Sequence, residues 1–235
     1  MPYCKQKNLL YIHIPKNGGK TVEILLNMHQ SYNGSPNSRS FLNTVFKYLL
    51  NKTTNHQASE QLLGVIDHSF AAQHLTLQEI EICNFMSIDN IKKAKILTTV
   101  RNPYDRAYSL FNHWINEKKN ELNVEKMFHD FLLKVGEKRK ERKHSVYSHF
   151  RQQVDYLKNS QGIIENIRIL HLETLKCDLI KFCKEQELNI DVEEKLSRTK
   201  FESNENLRTI SMSKRNKELV YELFKDDFRL LDYTV

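Results

Sequence analysis

The chain has 235 residues, 40% of them hydrophobic, and is therefore long enough to bury a sizeable core. Its formal net charge is +7, and the scarcity of glycine (6) and proline (4) excludes collagen-like and Gly- or Pro-rich linker proteins. Its four cysteines form no CxxC pair and no Cys/His finger spacing, which excludes a disulfide-rich secreted scaffold. No apolar run approaches the ~20 residues of a membrane span, and the first residues do not resemble a signal peptide. We expect a cytoplasmic protein, or the soluble part of an anchored protein whose anchor has been removed.

The N-terminal third begins with a short apolar run. Residues 9–14 (LLYIHI) predict a buried strand that ends in a tight turn at Pro-Lys-Asn-Gly-Gly. Residues 20–29 have the apolar spacing of a helix. Residues 31–60 are polar and predict a loop or lid around one helix, and residues 62–66 predict a second strand.

The middle of the chain carries clear helix-start signals. Thr76 is expected to cap a helix over residues 77–85, with Glu79 completing a capping box. Residues 94–100 (AKILTTV) predict another buried strand. Asn102 is a good N-cap and Pro103 suits the first helical position, so a helix is expected from there through Trp114.

The rest of the chain predicts helices with one more strand. Residues 121–158 predict helices with a basic stretch between them. Residues 167–172 predict a strand, and residues 173–187 predict a helix. Residues 211–231 predict a final helix whose inward-facing residues are Leu219, Leu223, Phe224 and Phe228. Strands that alternate with helices favour an α/β fold, in which helices flank a parallel sheet. We expect one domain over residues 1–235, with a helical C-terminal half.

Residues 12–21 (IHIPKNGGKT) form the first motif, in which a buried strand leads through a glycine turn to a helix. Backbone N–H groups at such a turn, together with the helix dipole, bind anions, and glycine lets a ligand approach the backbone. Lys16 adds a positive charge and Thr21 a hydroxyl. An ordinary strand-to-helix turn is the alternative. The Walker A pattern of nucleotide-hydrolysing enzymes fails in register, because its first glycine would stand at Ile14.

Residues 98–111 (TTVRNPYDRAYSLF) form the second motif. Arg101 follows the carboxyl end of a predicted strand and offers a planar fork for a phosphate, and Ser109 lies about two helical turns further on. Arg106 is interpreted as structural. A capped helix with surface arginines is the alternative. Ligands of open α/β sheets bind at the carboxyl ends of the strands, so the two motifs together indicate a nucleotide with phosphates at two separated places.

The two motifs together resemble those of sulfotransferases that use 3′-phosphoadenosine 5′-phosphosulfate (PAPS). IPKNGGKTVE (14–23) is similar to the 5′-phosphosulfate loop of that family, and VRNPYDRAYSLF (100–111) to its 3′-phosphate segment. The similarity is greatest to the carbohydrate branch. Weaker similarities at 73–80, 153–157, 169–175 and 221–233 extend the match over most of the chain. One departure is Lys20, which stands where the family usually has a small hydroxyl residue.

The resemblance implies a P-loop-like sulfotransferase fold, PAPS as sulfate donor, and an acceptor hydroxyl on a carbohydrate. The residues implied in donor binding are Lys16, Asn17, Gly18, Gly19, Lys20, Thr21, Arg101 and Ser109. Lys16 would also act in catalysis, at the bridging or leaving oxygen of the phosphosulfate. His74 is the first candidate for the base that deprotonates the acceptor, and His68, which follows a predicted strand, is its rival. The resemblance requires no metal.

Residues 134–143 (KVGEKRKERK) hold six basic and two acidic residues. They form either a solvated helix end or loop, or a surface for an anionic acceptor. No helix-turn-helix, zinc-finger or RNP pattern supports nucleic acid as a partner. For the whole chain, two alternatives stay open: a nucleotide kinase or NTPase-like phosphotransferase, and an inactive module that binds a nucleotide or a glycan.

Overall fold

The computed structural model describes residues 3–28, 74–82, 86–115, 123–141, 147–164, 166–198 and 212–235. Their strands form one sheet in the order β1 (Tyr3–Cys4), β2 (Leu9–Ile12), β3 (Lys95–Val100) and β4 (Ile167–His171). β2, β3 and β4 run parallel, and β1 pairs antiparallel with β2. The predicted α/β fold with a parallel sheet is confirmed. The antiparallel edge strand was not predicted, because two residues are too few to show an alternating pattern. The strand predicted at 62–66 lies outside the described residues.

Helices flank the sheet and form most of the described C-terminal half. They are α1 (Gly19–Leu25), α2 (Leu77–Ile82), α3 (Ile88–Lys93), α4 (Pro103–Trp114), α5 (Val124–Glu141), α6 (Tyr147–Phe150), α7 (Gln153–Leu157), α8 (Leu175–Glu185), α9 (Val192–Arg198) and α10 (Lys214–Leu230). In the described residues, 3₁₀ turns span Lys5–Lys7 and Leu172–Thr174. Within the described ranges, no helix is both long enough and apolar enough to cross a membrane.

The predicted helix starts are confirmed where local caps define them. In the capping box before α2, the Thr76 N–H donates to Glu79 Oε2 (2.9 Å) and the Glu79 N–H donates to Thr76 Oγ1 (3.1 Å). Asn102 caps α4 by accepting a hydrogen bond from the Tyr104 N–H (2.9 Å), with Pro103 in the first helical turn.

Other boundaries differ from the predictions. α1 ends at Leu25 rather than at residue 29, because the chain turns there through Asn27, whose φ is +55°. α3 and α9 were not predicted. The basic stretch does not separate two helices in the described chain, since its residues 134–141 belong to α5.

The sheet is buried on both faces. Along β2, Leu10 and Ile12 join one core cluster and Leu9 and Tyr11 join the other, as the alternation of side chains in a strand requires. A third cluster joins α4, α5 and α10, with Phe224 and Phe228 buried and Leu219 and Leu223 partly buried, as predicted. Because β2, β3 and β4 are parallel, their carboxyl ends lie at one edge, which we call the site edge.

Candidate functional site

The first element at the site edge is the turn that joins β2 to α1. Lys16 (φ +69°) and Gly18 (φ +74°) both adopt the left-handed conformation, which brings the chain sharply into α1. Gly19 lies against the ring of His13, and a Cβ added at Gly19 would stand 2.2 Å from His13 Nε2. A larger residue at position 19 would therefore displace either the histidine or the turn.

A buried glutamine ties this turn to the one that follows β3. The Asn17 side-chain amide donates to the Thr99 carbonyl (2.9 Å) and to Gln153 Oε1 (2.6 Å). Gln153 Oε1 also accepts from the Arg101 N–H (2.9 Å), and Gln153 Nε2 donates to the Arg101 carbonyl (2.8 Å). Asn17 and Gln153 are both fully buried. The two turns that the sequence connects with phosphate binding are thus held in one hydrogen-bonded frame.

Cationic side chains converge on this frame. Arg101 Nη1 donates to the carbonyl of Lys16 (3.4 Å). Burial lowers the pKa of Lys16, and the charges of Arg101 and Lys20 lower it further. Burial also lowers the pKa of Arg101, against the opposing effect of Asp105 and Glu173. Half-buried cations that repel one another are stabilised by an anion placed between them, so this set of donors fits a ligand with several negative charges.

Arg106 has a different role from Arg101. Its guanidinium is fully buried and donates to the carbonyls of Pro15 (3.3 Å), Arg151 (2.9 Å) and His149 (3.2 Å). These bonds hold α4 against the first turn, against α6 and against Arg151, which follows α6. The interpretation of Arg106 as structural agrees with these contacts.

His74 lies beside the first turn. Its Nδ1 is 2.9 Å from the carbonyl oxygen of His13. Because a carbonyl oxygen only accepts hydrogen bonds, Nδ1 carries the proton, and the lone pair of neutral His74 is on Nε2. Burial lowers the pKa of His74 well below its ordinary value, and the charge of His13 acts in the same direction. At neutral pH His74 is therefore uncharged and can accept a proton at Nε2. Its rival, His68, lies outside the described residues.

Further histidines surround His74. Its ring meets the ring of His13 edge-on (centroids 4.6 Å apart) and approaches that of His149 (5.2 Å), which in turn stacks on His113 (6.1 Å). Below the turn, the buried Glu23 carboxylate lies 2.5 Å from His13 Nδ1 and holds that ring against Gly19. Among the described residues, no group of three or more His, Cys, Asp or Glu side chains is arranged to bind a metal ion.

The remaining predicted site residues occupy the two helices that start at this edge. Lys20 is exposed and Thr21 half-buried in the first turn of α1, and Ser109 is buried about two turns into α4. The structure brings Lys16, Lys20 and Arg101 together. The Asn17 side chain points inward, and its hydrogen bonds to the Thr99 carbonyl and to Gln153 connect the two turns.

Within the described part of the basic run, Arg139 makes contacts inside the fold. Arg139 donates from Nη1 to the carbonyl of Leu223 and lies over the ring of Phe224 (5.7 Å), so it holds α5 against α10. Lys134 is exposed. Arg139 is therefore engaged in packing the two helices together, whereas Lys134 faces solvent.

Sequence reasoning missed Gln153, His13 and Glu23. Gln153 stands in one of the weaker similarities (153–157), which marked the segment without indicating a role. His13 directly precedes the turn and Glu23 lies in the next helix, ten residues away. No local spacing rule connects two such residues, so only the fold identifies the pair.

The profile described as the sulfotransferase family matches residues 2–234, nearly the whole chain. No curated protein and no solved structure matches significantly.

Proposed function

Since this chain belongs to the sulfotransferase family, we propose that it transfers the sulfuryl group of PAPS to an acceptor hydroxyl, with a carbohydrate as acceptor. The observation that carries the proposal is the frame of Asn17, Gln153 and Arg101, which holds two cationic turns side by side at the carboxyl ends of parallel strands. A donor that carries anionic groups at both the 3′ and the 5′ position of its ribose matches two such turns.

Bound PAPS would supply the sulfuryl group and a phosphate leaving group. Lys16 would neutralise the charge that develops on the oxygen between sulfur and phosphorus as the bond from this oxygen to sulfur breaks. The backbone N–H groups of residues 18–21 and the Thr21 hydroxyl would hold the 5′-phosphate. Arg101 and Ser109 would hold the 3′-phosphate. Fixed cations in a half-buried turn stabilise developing charge better than water does, because they need no reorganisation.

His74 would take the acceptor proton. The acceptor oxygen forms a bond to sulfur, the bond from sulfur to the phosphate oxygen breaks, and the proton moves to His74 Nε2. The carbonyl of His13 supports this role, because it fixes the tautomer in which Nε2 is the acceptor. His68 remains the rival base.

The proposal is tested by sulfate transfer from labelled PAPS to a panel of glycans, with Lys16→Ala, His74→Ala and His68→Ala compared with the unmodified protein. We expect His68→Ala to retain activity and the other two to lose at least 100-fold in kcat. Full activity in His74→Ala with none in His68→Ala would reverse the assignment of the base.

Donor binding is tested separately by thermal unfolding with and without 3′-phosphoadenosine 5′-phosphate. We expect the product to raise Tm, and Lys16→Ala to reduce that shift. A protein stabilised by the product but inactive with PAPS on every acceptor would be a binding module. A protein that the product does not stabilise would contradict the proposed function.

A further inference from the structure

The segment that follows α10 returns to the site edge. α10 ends at Leu230, and Asp232 turns the chain in the left-handed conformation (φ +57°). The Tyr233 N–H then donates to the Phe228 carbonyl (3.2 Å). The Tyr233 ring packs edge-on against His171, the last residue of β4 (centroids 5.5 Å apart, 69° between planes). These contacts hold Tyr233 at the carboxyl end of β4.

A single carboxylate joins Tyr233 to the turn that follows β3. The Tyr233 hydroxyl donates to Glu173 Oε2 (3.1 Å), and the Asn102 N–H donates to Glu173 Oε1 (2.7 Å). Burial raises the pKa of Tyr233, and the charge of Glu173 raises it further, so the hydroxyl keeps its proton and acts as the donor. Each oxygen of this carboxylate therefore has a hydrogen-bond donor of its own.

The Glu173 carboxylate lies within reach of the Arg101 side chain. The Asn102 nitrogen, which Glu173 Oε1 contacts, belongs to the peptide unit that follows Arg101, so this oxygen is no more than about 5.5 Å from the Arg101 Cα. In the structure, however, Arg101 Nη1 donates to the carbonyl of Lys16 (3.4 Å), which directs the guanidinium to the first turn. The carboxylate is held by Asn102 and Tyr233 instead.

A carboxylate and a phosphate compete for the same guanidinium, because the planar fork of arginine matches the oxygens of both. If Glu173 paired with Arg101, an incoming phosphate would have to displace it and would be repelled by its charge. A carboxylate whose two oxygens already accept hydrogen bonds gains less from such a pair. The partners of Glu173 therefore bear on how well Arg101 binds a phosphate.

We propose that Tyr233 and Glu173 set the selectivity of the site for a nucleotide with a 3′-phosphate: the Tyr233 hydroxyl and the Asn102 N–H keep the Glu173 carboxylate off Arg101, which leaves the guanidinium available to that phosphate. This inference rests on the proposed function, in which Arg101 holds the 3′-phosphate. Tyr233 is a positioning residue, since it acts through Glu173 and not by touching the donor.

Calorimetric titration with two nucleotides tests this selectivity. The ligands are 3′-phosphoadenosine 5′-phosphate and adenosine 5′-phosphate, which differ only in the 3′-phosphate. Tyr233→Phe removes the hydroxyl and keeps the ring that packs on His171. Tyr221→Phe is the matched control, because Tyr221 is also half-buried and lies in α10, where its ring packs on Phe228 (5.6 Å).

The expected result is a loss confined to one nucleotide. Tyr233→Phe should raise the Kd of the bisphosphate about three- to fivefold, the range of a partly exposed ion pair, and leave the Kd of the monophosphate unchanged. Tyr221→Phe should change neither. Equal Kd values for the bisphosphate in the two variants would overturn the proposal. An equal rise for both nucleotides in Tyr233→Phe would also overturn it, because the role of the hydroxyl would then be merely structural.

Neutralising the carboxylate separates competition from a loss of structure. Glu173→Gln keeps an oxygen for the Asn102 N–H and places an amide beside the Tyr233 hydroxyl, which can accept a hydrogen bond from it. We expect Glu173→Gln to bind the bisphosphate at least as tightly as the unmodified protein, and Tyr233→Phe to have no further effect in the Glu173→Gln background. A loss from Tyr233→Phe that persists in that background would refute the proposal.

The two proposals fail in different ways. If the bisphosphate binds the unmodified protein and Tyr233→Phe with the same Kd, the inference about Tyr233 fails alone and the proposed function stands. If the bisphosphate neither binds the unmodified protein nor raises its Tm, the proposed function fails, and the inference fails with it.

Discussion

Replacing Gln153 by alanine tests the frame that joins the two turns. Gln153 is fully buried, and its amide pairs with both the N–H and the carbonyl of Arg101 and with Asn17. The Asn17 amide keeps its bond to the Thr99 carbonyl, so the substitution deprives mainly the two backbone groups of Arg101 of their partner. Each such group costs about 1–3 kcal/mol when buried without a partner. Because both of these hydrogen bonds are only partly buried, we expect a loss of about 2–4 kcal/mol in the free energy of unfolding.

In a chain of this size that loss lowers Tm by about 10 °C, since each kcal/mol corresponds to about 2–4 °C. It also releases Arg101 from its position beside Lys16, so we expect affinity for 3′-phosphoadenosine 5′-phosphate to fall at least tenfold. The assays are thermal unfolding and calorimetric titration of the nucleotide.

The neighbouring residue provides a matched control. Gln152 is also buried, but its side chain bonds Asp226 on α10 (3.1 and 3.4 Å) and not the turns. Gln152→Ala should lower Tm by a smaller amount and leave nucleotide affinity unchanged. If Gln153→Ala and Gln152→Ala have the same nucleotide affinity, the reasoning that Gln153 positions the donor site is refuted.

Three further outcomes are expected. Gly19→Ala should lose nucleotide binding and several °C in Tm, because the new Cβ would overlap the ring of His13. Gly136→Ala is the control and should keep both, since its Cβ would lie 3.5 Å from the nearest described side chain. Thermal unfolding of the two variants, with and without the nucleotide, measures both properties. The acid limb of the kcat profile should lie below pH 6.5, since the lowered pKa of His74 keeps the base unprotonated in weak acid; a limb above pH 7 would contradict this. Burial raises the pKa of Asp227 from 3.8 to about 6, so the native state binds its proton more tightly than the unfolded chain does. This stabilisation is present at pH values below 3.8 and is lost as pH rises through about 6. The difference in Tm between the unmodified protein and Asp227→Asn should therefore favour the unmodified protein more at pH 5 than at pH 7. A difference that favours it less at pH 5 would show that the carboxylate is stabilised in its ionised form.

Local signals in the sequence were sufficient for several features. The capping box of Thr76 and Glu79 and the Asn102–Pro103 helix start were predicted correctly, because their partners are at most three residues apart along the chain. The apolar runs before the two turns predicted parallel strands with a common edge, and the position of Arg101 followed from that. The assignment of donor and base residues remains a prediction that the fold makes testable.

Tertiary structure decided the parts of the site that depend on distant segments. Gln153 reaches Asn17 across 136 residues and Arg101 across 52, and the carbonyl of His13 orients His74 across 61. Arg106 and Arg101 stand five residues apart in one motif, yet one is buried against three carbonyls and the other is directed to the site edge. Periodicity and caps report only on neighbours within a few residues. The partners of a buried polar group are set by which segments the sheet brings together, because such a group must find hydrogen bonds wherever the fold supplies them.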